Sequence, residues 1–335
     1  MKKILITGGA GFMGSNFIKY ILKNHPDWQV VNLDKLTYAG NLENLKEIGD
    51  SANYKFLKGD IAKAADVEKA IGEGVDAIIN YAAETHVDRS ILEPDAFIKT
   101  DILGTYTLLE AARAHNVAQY IQISSDEVYG SIERGSFTEA SPFAPNSPYA
   151  ASKASADLLC RAYFQTYNLP VIITHSCNFF GPYQYPEKLI PLFITNLLEN
   201  KKVPVYGDGR QTREWIFTED FCRAVELLME KGQAGETYNI GTGDEKQNIE
   251  TTRFILKELG LDEKMIEYVK DRPGHDFRYS LNCEKIKKLG WQPRVNWSEG
   301  LSRTIKWYRE NGDWWQKIKS GEYLEYYKKQ YVLRD

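Results

Sequence analysis

A short apolar segment that runs directly into a glycine-rich turn restricts the fold of this chain more than any other feature. Residues 4–7 are Ile-Leu-Ile-Thr, residues 8–14 are Gly-Gly-Ala-Gly-Phe-Met-Gly, and Ile18, Ile21 and Leu22 follow at helical spacing. Strand, glycine turn and helix in this order are typical of dinucleotide-binding folds, in which the helix N-terminus faces a pyrophosphate. The spacing is GxxGxxG rather than GxGxxG, so the turn alone fits an ordinary strand–loop–helix connection equally well.

Strand and helix patterns alternate through the first half of the chain. Apolar segments predict strands at 30–33, 54–61, 77–81, 121–125 and 171–174. Between and after them, apolar residues recur at helical spacing over 97–114 and 149–163. This alternation predicts an α/β fold with a doubly wound parallel (Rossmann) sheet, whose ligands bind at the carboxyl ends of the strands.

The chain changes character after residue 180. Pro182, Pro186, Pro191 and Pro204 separate short elements there, and no low-complexity linker marks the change. Prolines interrupt both helices and strands, so these elements should be brief. We predict a nucleotide-binding domain over residues 1–180 and a smaller, mixed α/β substrate domain over residues 181–335, with part of the second segment crossing back to the sheet.

Composition excludes several classes of protein. The formal net charge of −4 offers no basic surface for nucleic acid, the five histidines have no metal-binding spacing, and the four cysteines form no CxxC pair. No apolar stretch approaches the roughly 20 residues of a membrane helix, and the first strand leaves no room for a signal peptide. We expect a cytoplasmic protein that binds no nucleic acid, no membrane and no metal.

An acidic residue stands where a ribose-binding carboxylate is expected. Asp34 ends the second strand, about 20 residues after the glycines, where a carboxylate binds the adenosine ribose diol and repels a 2′-phosphate. The predicted cofactor is therefore NAD. The plainer alternative is an acid that caps a loop at the strand end.

Proton-handling side chains surround the end of the fifth strand. Ser125, Asp126 and Glu127 follow that strand, and Tyr149 and Lys153 lie one helical turn apart in the only YxxxK of the chain. The ammonium should lower the pKa of the Tyr149 phenol, which then serves as base for hydride transfer from an alcohol. An adjacent acid and base suit an elimination next to a carbonyl. An exposed helical pair and a solvated turn are the alternatives.

The chain resembles the dTDP-glucose 4,6-dehydratases, which are extended short-chain dehydrogenases/reductases. The matching segments are 8–14, 34–41, 82–90, 124–130, 149–153, 181–191, 205–209 and 271–276. The resemblance implies that Tyr149 takes the C4 hydroxyl proton while the C4 hydride passes to NAD. Glu127 then removes the C5 proton as Asp126 protonates the departing C6 hydroxyl, and the hydride returns to C6. The implied product is a 4-keto-6-deoxy sugar nucleotide for deoxysugar (rhamnose-type) biosynthesis.

The resemblance also implies a set of binding residues. Those for NAD are Gly8, Gly11, Phe12, Met13, Gly14, Asp34, Lys35, Leu36, Thr37, Asp60, Ile61, Tyr81, Ala82, Ala83, Thr100, Tyr149 and Lys153. Those for the nucleotide sugar are Thr85, Ser125, Asn178, Lys188, Leu189, Pro204, Val205, Tyr206, Arg213, Asn248, Asp271, Arg272 and His275. Ser125 is expected to bind the C4 oxygen, and Arg213 and His275 the diphosphate.

Some residues depart from the family pattern. Ser125 replaces a usual threonine, Phe179 a usual asparagine and Glu214 a usual aspartate, while Phe217 and Phe221 replace polar residues. Because several of these positions lie near the sugar-nucleotide pocket, UDP-glucose or another nucleotide hexose stays open as the substrate.

Other activities on this fold are weaker alternatives. Epimerases lack the acid pair, decarboxylases typically carry serine at the position of Asp126, and a non-catalytic NAD-dependent sensor would tend to lose the tyrosine–lysine pair. The family resemblance further implies a homodimer, formed by helices near Thr105–Ala114 and Ala150–Tyr163.

Overall fold

The secondary structure follows the predicted alternation of strands and helices. The computed structural model describes residues 2–271 and 276–320 of the chain. The strands are β1 (Lys3–Thr7), β2 (Gln29–Asp34), β3 (Tyr54–Lys58), β4 (Ala77–Asn80), β5 (Gln119–Ser125), β6 (Val171–Ser176), β7 (Asn178–Phe180), β8 (Val203–Tyr206), β9 (Thr212–Phe217), β10 (Thr237–Ile240), β11 (Glu245–Gln247) and β12 (Ile266–Val269).

Helices fill most of the intervals between the strands. The α-helices are α1 (Phe12–Asn24), α2 (Ala64–Ile71), α3 (Val87–Leu92), α4 (Asp95–Phe97), α5 (Gly104–Ala114), α6 (Pro148–Tyr167), α7 (Leu189–Leu198), α8 (Thr218–Lys231), α9 (Asn248–Leu259), α10 (Glu284–Lys288), α11 (Trp297–Glu310) and α12 (Gly312–Ile318). A π-helical stretch, Ile98–Leu103, joins α4 to α5. Short 3₁₀ helices cover Leu42–Ile48, Asp126–Tyr129 and Glu263–Met265.

Seven parallel strands form the main sheet in the order β10-β6-β5-β4-β1-β2-β3. The predicted doubly wound sheet is therefore confirmed. β1 pairs with β2 on one side and β4 on the other, and β5 pairs with β6 so that Ser125 lies opposite Ser176. Because all of these strands point the same way, Thr7, Asp34, Asn80 and Ser125 end at one edge of the sheet.

Both faces of the sheet are buried. Ile4 and Ile6 of β1 face a core built from α1 and α8, whereas Leu5 between them faces a second core built from α2, α5 and α6. All three side chains are fully buried. Burying an isoleucine or leucine contributes about 1.5–3 kcal/mol each, so a continuously apolar strand stabilises both layers at once.

The sequence after residue 181 contributes to both parts of the molecule. Helix α8 packs on α1 in the first core, and β10 completes the edge of the main sheet beside β6. A third core gathers the aromatic residues Trp215, Trp297, Tyr308 and Trp314 between α7, α9, α11 and α12. Two small sheets, β11-β9-β7 and β12-β8, lie with this core. The division at residue 180 stays a prediction.

Two predicted strands end earlier than expected. The third was predicted over 54–61 but ends at Lys58, because Asp60 turns the chain: its N–H donates to Asp66 and its carboxylate accepts from the Ala62 N–H. The fourth was predicted to reach residue 81 but ends at Asn80. Ile61 and Tyr81, which were predicted to end these strands, therefore lie in loops at the ligand-binding edge of the sheet.

Helix α6 has clear local signals at both ends. Ser147 caps its N-terminus by accepting a hydrogen bond from the Ala150 N–H at 3.1 Å, and Pro148 occupies its first turn. Asn168 ends it in the left-handed conformation with φ of 54°. Across the described ranges, 2–271 and 276–320, no helix combines the length and apolar character that crossing a bilayer requires.

Candidate active site

A deep cleft follows the carboxyl edge of the main sheet and continues under the third core. Every predicted cofactor residue except Leu36 lines it: Gly8, Gly11, Phe12, Met13, Gly14, Asp34, Lys35, Thr37, Asp60, Ile61, Tyr81, Ala82, Ala83, Thr100, Tyr149 and Lys153. The predicted catalytic residues Ser125, Asp126 and Glu127 line its centre. Nine predicted substrate residues complete the wall: Thr85, Asn178, Lys188, Leu189, Pro204, Val205, Tyr206, Arg213 and Asn248.

Four predicted binding residues are not placed at this wall. Leu36 does not line the cleft; its N–H donates to Asp34 Oδ1 at 2.8 Å, and its φ of 56° turns the chain away. Asp271 is exposed and accepts a hydrogen bond from Gln211 at 2.7 Å. Arg272 and His275 lie outside the described residues. Ligand contacts by these four residues stay predictions.

The glycine turn is built for close backbone approach. A Cβ on Gly8 would lie 2.6 Å from the Ala82 nitrogen, and one on Gly14 would lie 2.4 Å from the Gly8 carbonyl oxygen, so both glycines are required by internal packing. Gly11 is different, because its Cβ would meet only the Gly8 oxygen, at 3.2 Å. Gly11 lines the cleft, so the space that its missing side chain leaves is available to a ligand.

Helix α1 presents its N-terminus to the same region. The helix follows Gly11 with no side-chain cap and no acidic residue in its first turn. Uncapped N–H groups and the positive end of the helix dipole form a binding site for phosphate. The glycine turn and α1 therefore fit a pyrophosphate group.

Two carboxylates on adjacent loops fit the rest of a dinucleotide. Asp34 is buried, and its oxygens accept the N–H groups of Ala10 and Leu36, which hold its orientation. Lys35 Nζ lies 2.8 Å from Asp60. Burial opposes ionisation of Asp60, but the hydrogen bonds from Lys35 and the Ala62 N–H, together with the charges of Lys35 and Lys63, outweigh it and keep the pKa of Asp60 below its usual value. Both groups remain able to accept hydrogen bonds from ribose hydroxyls or a base.

A buried hydroxyl group in the cleft also lacks a protein partner. Tyr81 Oη has no hydrogen-bond partner within residues 2–271 and 276–320, although it lies against the cleft. A buried polar atom of this kind costs about 1–3 kcal/mol unless a ligand satisfies it. Together with the space at Gly11 and the uncapped helix, it supports the fit of a dinucleotide to this end of the cleft.

Tyr149 and Lys153 lie at the centre of the cleft, and both are buried. The phenol of Tyr149 is hydrogen-bonded to Ser125. Lys153 Nζ donates to the Ile123 carbonyl oxygen at 2.6 Å, which ties α6 to β5. The predicted pair is thus joined to the strand end that carries the acids.

The predicted direction of the pKa shift of Tyr149 was wrong. Lys153 was predicted to lower it, but burial and the charge of Glu127 hold the pKa of Tyr149 well above its usual range. The hydrogen bond with Ser125 acts in the opposite direction, and it is outweighed. The cause is desolvation, which a sequence pattern does not report. Tyr149 therefore keeps its proton until further positive charge reaches the cleft.

The adjacent acids differ in their surroundings. Asp126 is 2% exposed, and its Oδ2 has no partner within the described part of the chain. Burial, followed by the charges of Glu127 and Glu214, raises the pKa of Asp126 well above its usual value. Glu127 is only half-buried and its N–H donates to Ser125 Oγ at 3.3 Å. These surroundings favour the protonated form of Asp126, which can donate a proton from Oδ2.

Two further acids that the sequence analysis did not select lie next to this centre. Asp101 accepts hydrogen bonds from the Glu84 N–H at 2.9 Å and from Ser152 Oγ at 2.6 Å, and burial raises its pKa to about 6. Glu187 lines the cleft and binds Arg89 Nε at 3.0 Å. Asp101 was missed because it sits in the π-helical stretch. Glu187 lies inside 181–191, a segment that matches the family pattern. Its position in that segment was the available signal that it lies at the site.

The far end of the cleft carries polar groups suited to a sugar nucleotide. The side-chain oxygens of Asn178 and Asn248 line it without partners in the described residues. Arg213 is held by three carbonyl oxygens, those of Thr212, Asp276 and Phe277, and lies 4.5 Å from the Tyr279 ring centroid.

The residues that depart from the family pattern have structural partners here. Phe179 lines the cleft and packs on Phe221 with ring centroids 4.5 Å apart. Glu214 accepts the N–H groups of Gly243 at 2.7 Å and Leu281 at 3.2 Å. Within the described residues, no group of three or more His, Cys, Asp and Glu side chains is placed to hold a metal ion.

Comparison with known proteins gives consistent results. A family model described as GDP-mannose 4,6 dehydratase matches residues 5–304. A dTDP-glucose 4,6-dehydratase of Streptomyces niveus is 50% identical over 323 residues, covering 95% of this chain and 96% of that protein. One from Neisseria meningitidis is 48% identical, covering 96% of this chain and 98% of that protein. The crystal structure of DesIV, a dTDP-glucose 4,6-dehydratase of Streptomyces venezuelae with NAD and dTDP bound, has a TM-score of 0.93 and 50% identity, covering 95% of this chain and 100% of that chain.

Proposed function

This chain belongs to the dTDP-glucose 4,6-dehydratase family, and we propose that it converts dTDP-glucose into dTDP-4-keto-6-deoxyglucose and water with NAD as cofactor. The observation that carries the proposal is the acid pair, because Asp126, whose pKa is raised by burial, adjoins the half-buried Glu127 in the same cleft. Two carboxyl groups in different environments can supply the acid and the base of an elimination. The product class serves deoxysugar biosynthesis.

The cofactor would be held by the glycine turn, the N-terminus of α1, Asp34 and the Lys35–Asp60 pair. When bound, NAD would supply the acceptor for the C4 hydride and its later donor to C6. The residues of the chain handle the protons. Ser125 is hydrogen-bonded to the phenol of Tyr149, so the C4 oxygen of a substrate seated against Ser125 also meets Tyr149.

Tyr149 acts as the base that takes the C4 hydroxyl proton. Because burial and Glu127 raise the pKa of Tyr149, its phenol loses the proton only as positive charge collects around it. Lys153 is one turn away, and Ile123 holds its ammonium at a fixed position. Oxidation at C4 makes the proton on C5 acidic, because the new carbonyl stabilises the carbanion that proton removal leaves.

Glu127 and Asp126 then act on opposite ends of the C5–C6 bond. Glu127 is more exposed and takes the C5 proton, whereas Asp126 keeps its proton until the C6 hydroxyl leaves as water. Positioned acids and bases contribute about 10²- to 10⁴-fold each. Asp126→Asn and Glu127→Gln should therefore bind NAD normally but lose turnover by about that factor.

A direct assay separates this proposal from its alternatives. The protein is incubated with dTDP-glucose, and the keto sugar is detected by its base-induced absorbance. Product from dTDP-glucose, with much less from UDP-glucose, supports the assignment of thymidine. Faster turnover of UDP-glucose would indicate that the substrate carries uridine instead of thymidine. Formation of galactose nucleotides would indicate an epimerase, and formation of a pentose nucleotide from UDP-glucuronate would indicate a decarboxylase. No reaction with any nucleotide glucose would favour a non-catalytic sensor.

We also propose that the protein is a homodimer. Five apolar side chains stand exposed along α5, α6 and the π-helical stretch, at 44–57% exposure: Ile98, Leu103, Tyr106, Leu158 and Tyr167. A second copy packed on this face would bury them. Sedimentation of Leu158→Asp should show a monomer, while Tyr268→Asp, at an equally exposed position on β12, should remain a dimer. A wild-type monomer with full activity would refute the proposal.

A cytoplasmic location is proposed on the chemistry of the cysteines. Cys160, Cys177, Cys222 and Cys283 are all buried and unpaired. Free thiols persist in a reducing compartment, where NAD and sugar nucleotides are also found. Fractionation of the source cells should place the activity with the cytoplasmic enzymes.

A further inference from the structure

A buried polar network lies directly beneath the catalytic strand end. Ser124 Oγ donates to Asp157 Oδ2 at 2.7 Å, and His175 Nε2 lies 3.1 Å from the same oxygen. On the other side of the ring, His175 Nδ1 lies 2.5 Å from Tyr129 Oη, which donates to Asn239 Oδ1 at 2.9 Å. All five residues are buried.

Counting the protons in this network fixes the state of the imidazole. The Asn239 amide nitrogen donates to the carbonyl oxygens of Phe137 at 3.0 Å and Asn282 at 3.3 Å, so its amide oxygen must face Tyr129. The single hydroxyl proton of Tyr129 is therefore used on Asn239. His175 Nδ1 can then hydrogen-bond to Tyr129 only as a donor, and it must carry a proton.

The other ring nitrogen carries a proton as well. Asp157 Oδ2 accepts from Ser124 and faces His175 Nε2. Two lone pairs that face each other at 3.1 Å would repel, so a proton lies between Nε2 and Oδ2, and we assign it to the ring. His175 thus donates from both nitrogens, and Asp157 is its counter-ion.

We propose that His175, as a buried imidazolium paired with Asp157, is a positioning residue that holds the acid pair in register with Tyr149 and Lys153. Tyr129 ends the 3₁₀ turn that begins with Asp126, while Asp157 lies one turn beyond Lys153 on α6. His175 on β6 bridges the two. The proposal rests on the proposed function, because it assigns the elimination step to one side of this bridge and the redox step to the other.

The surroundings of the network support this charge state. Around Tyr129, the rings of Phe137 and Phe143 exclude water, with ring centroids at 5.1 Å and 5.8 Å. Burial and the nearby carboxylates Glu139 and Asp157 hold the pKa of Tyr129 above its usual range, so the phenol keeps the proton that it donates. Glu139 itself accepts from the Asn239 N–H at 3.0 Å. The carboxylates Glu139 and Asp157 favour a cation in the ring, whereas the ammonium of Lys153, one turn from Asp157 on α6, opposes one and donates to the Ile123 carbonyl oxygen.

The charge state can be measured on the unmodified protein. With ¹⁵N-labelled histidine, the five histidines give few ring signals, and the His175 pair is identified by its loss in His175→Gln. In the folded protein, both His175 nitrogens should show the nearly equal shifts of an imidazolium. Widely separated shifts, which mark a neutral ring, would overturn the proposal. This measurement does not depend on the substrate.

The positioning role is tested with Tyr129→Phe, which keeps the ring but removes both hydrogen bonds. We expect turnover of dTDP-glucose to fall at least tenfold, because one hydrogen bond to a charged group is worth at least a factor of about ten. KM and the affinity for NAD should change by less than about twofold. Because oxidation continues while elimination slows, NADH absorbance should accumulate during turnover. His115→Gln, which removes an exposed histidine, is the matched control for His175→Gln.

The kinetic outcomes separate the two proposals. Loss of turnover without NADH accumulation, or no loss at all in Tyr129→Phe, would refute the positioning role. Absence of turnover in the wild-type protein would instead refute the proposed function, and the ring signals of His175 would still decide its charge.

Discussion

The protonated state of Asp126 has a measurable consequence for stability. Its carboxyl group is buried with one oxygen unpartnered, and its pKa is raised well above the usual value by burial and by Glu127 and Glu214. In the unfolded chain the same group ionises near pH 3.9. Above that pH, unfolding therefore releases a proton from Asp126, and the folded state loses stability as pH rises towards the folded-state pKa.

The size of this effect follows from linkage. One proton released on unfolding changes the free energy of unfolding by about 1.4 kcal/mol per pH unit. Asp126→Asn replaces a neutral acid by an amide of nearly the same shape, so the contribution disappears while the contacts remain. Relative to the wild type, the variant should gain about 1.4 kcal/mol for each pH unit above the unfolded-state pKa of about 3.9, until the folded-state pKa of Asp126 is reached.

Urea unfolding of both proteins at several pH values measures this difference directly. Because a ligand that binds only the folded state adds its own stability, NAD must be absent or equally saturating in both samples. Asp208→Asn, at an exposed loop position, is the matched control and should run parallel to the wild type. If the Asp126→Asn curve were also parallel, Asp126 would be ionised in the folded protein, and its role as the acid of the elimination would be refuted.

Further predictions concern the cofactor turn, a second buried acid and a long-range contact. Gly11→Ala should fold normally but bind NAD at least tenfold more weakly in a fluorescence titration, and binding equal to that of the wild type would contradict this. Gly14→Ala should also lose stability, because its Cβ would lie 2.4 Å from a backbone oxygen. Asp101→Asn should gain stability over the wild type only between about pH 4 and pH 6, by about 3 kcal/mol, because burial raises the pKa of Asp101 to about 6; a gain that continues to higher pH would be inconsistent. Trp314→Phe, which loses the 2.8 Å hydrogen bond to Asn44 and leaves space where the larger ring packs, should lower the free energy of unfolding by more than about 1 kcal/mol in urea, and no change would contradict this.

The fold was predictable because its signals are local. Ile4, Leu5 and Ile6 form a continuously apolar strand because both faces of the sheet are covered, and Gly8 and Gly14 after them lie where a Cβ would meet neighbouring backbone atoms. The position of Asp34 was predictable because it is the last residue of an apolar strand. Such features depend on neighbours in sequence, so reasoning from the pattern alone reaches them.

The features that were missed depend on distant parts of the chain. The pKa of Tyr149 is set by burial and by Glu127, and Asp101 acquires its partners Glu84 and Ser152 from elements far apart in sequence. Burial of a titratable group requires the assembled cleft, and its effect on the pKa can exceed that of a neighbouring charge. For the same reason the roles of the individual site residues stay predictions until they are tested by substitution.

The central claim is that one cleft couples oxidation at C4 to loss of water across C5 and C6. The most direct test uses dTDP-glucose carrying deuterium at C4, with mass spectrometry and NMR of the product. If the claim is correct, the product is the 4-keto-6-deoxy sugar nucleotide, and the deuterium from C4 appears at C6. Recovery of an epimerised sugar with the label still at C4, or a product whose label has been lost to solvent, would contradict it.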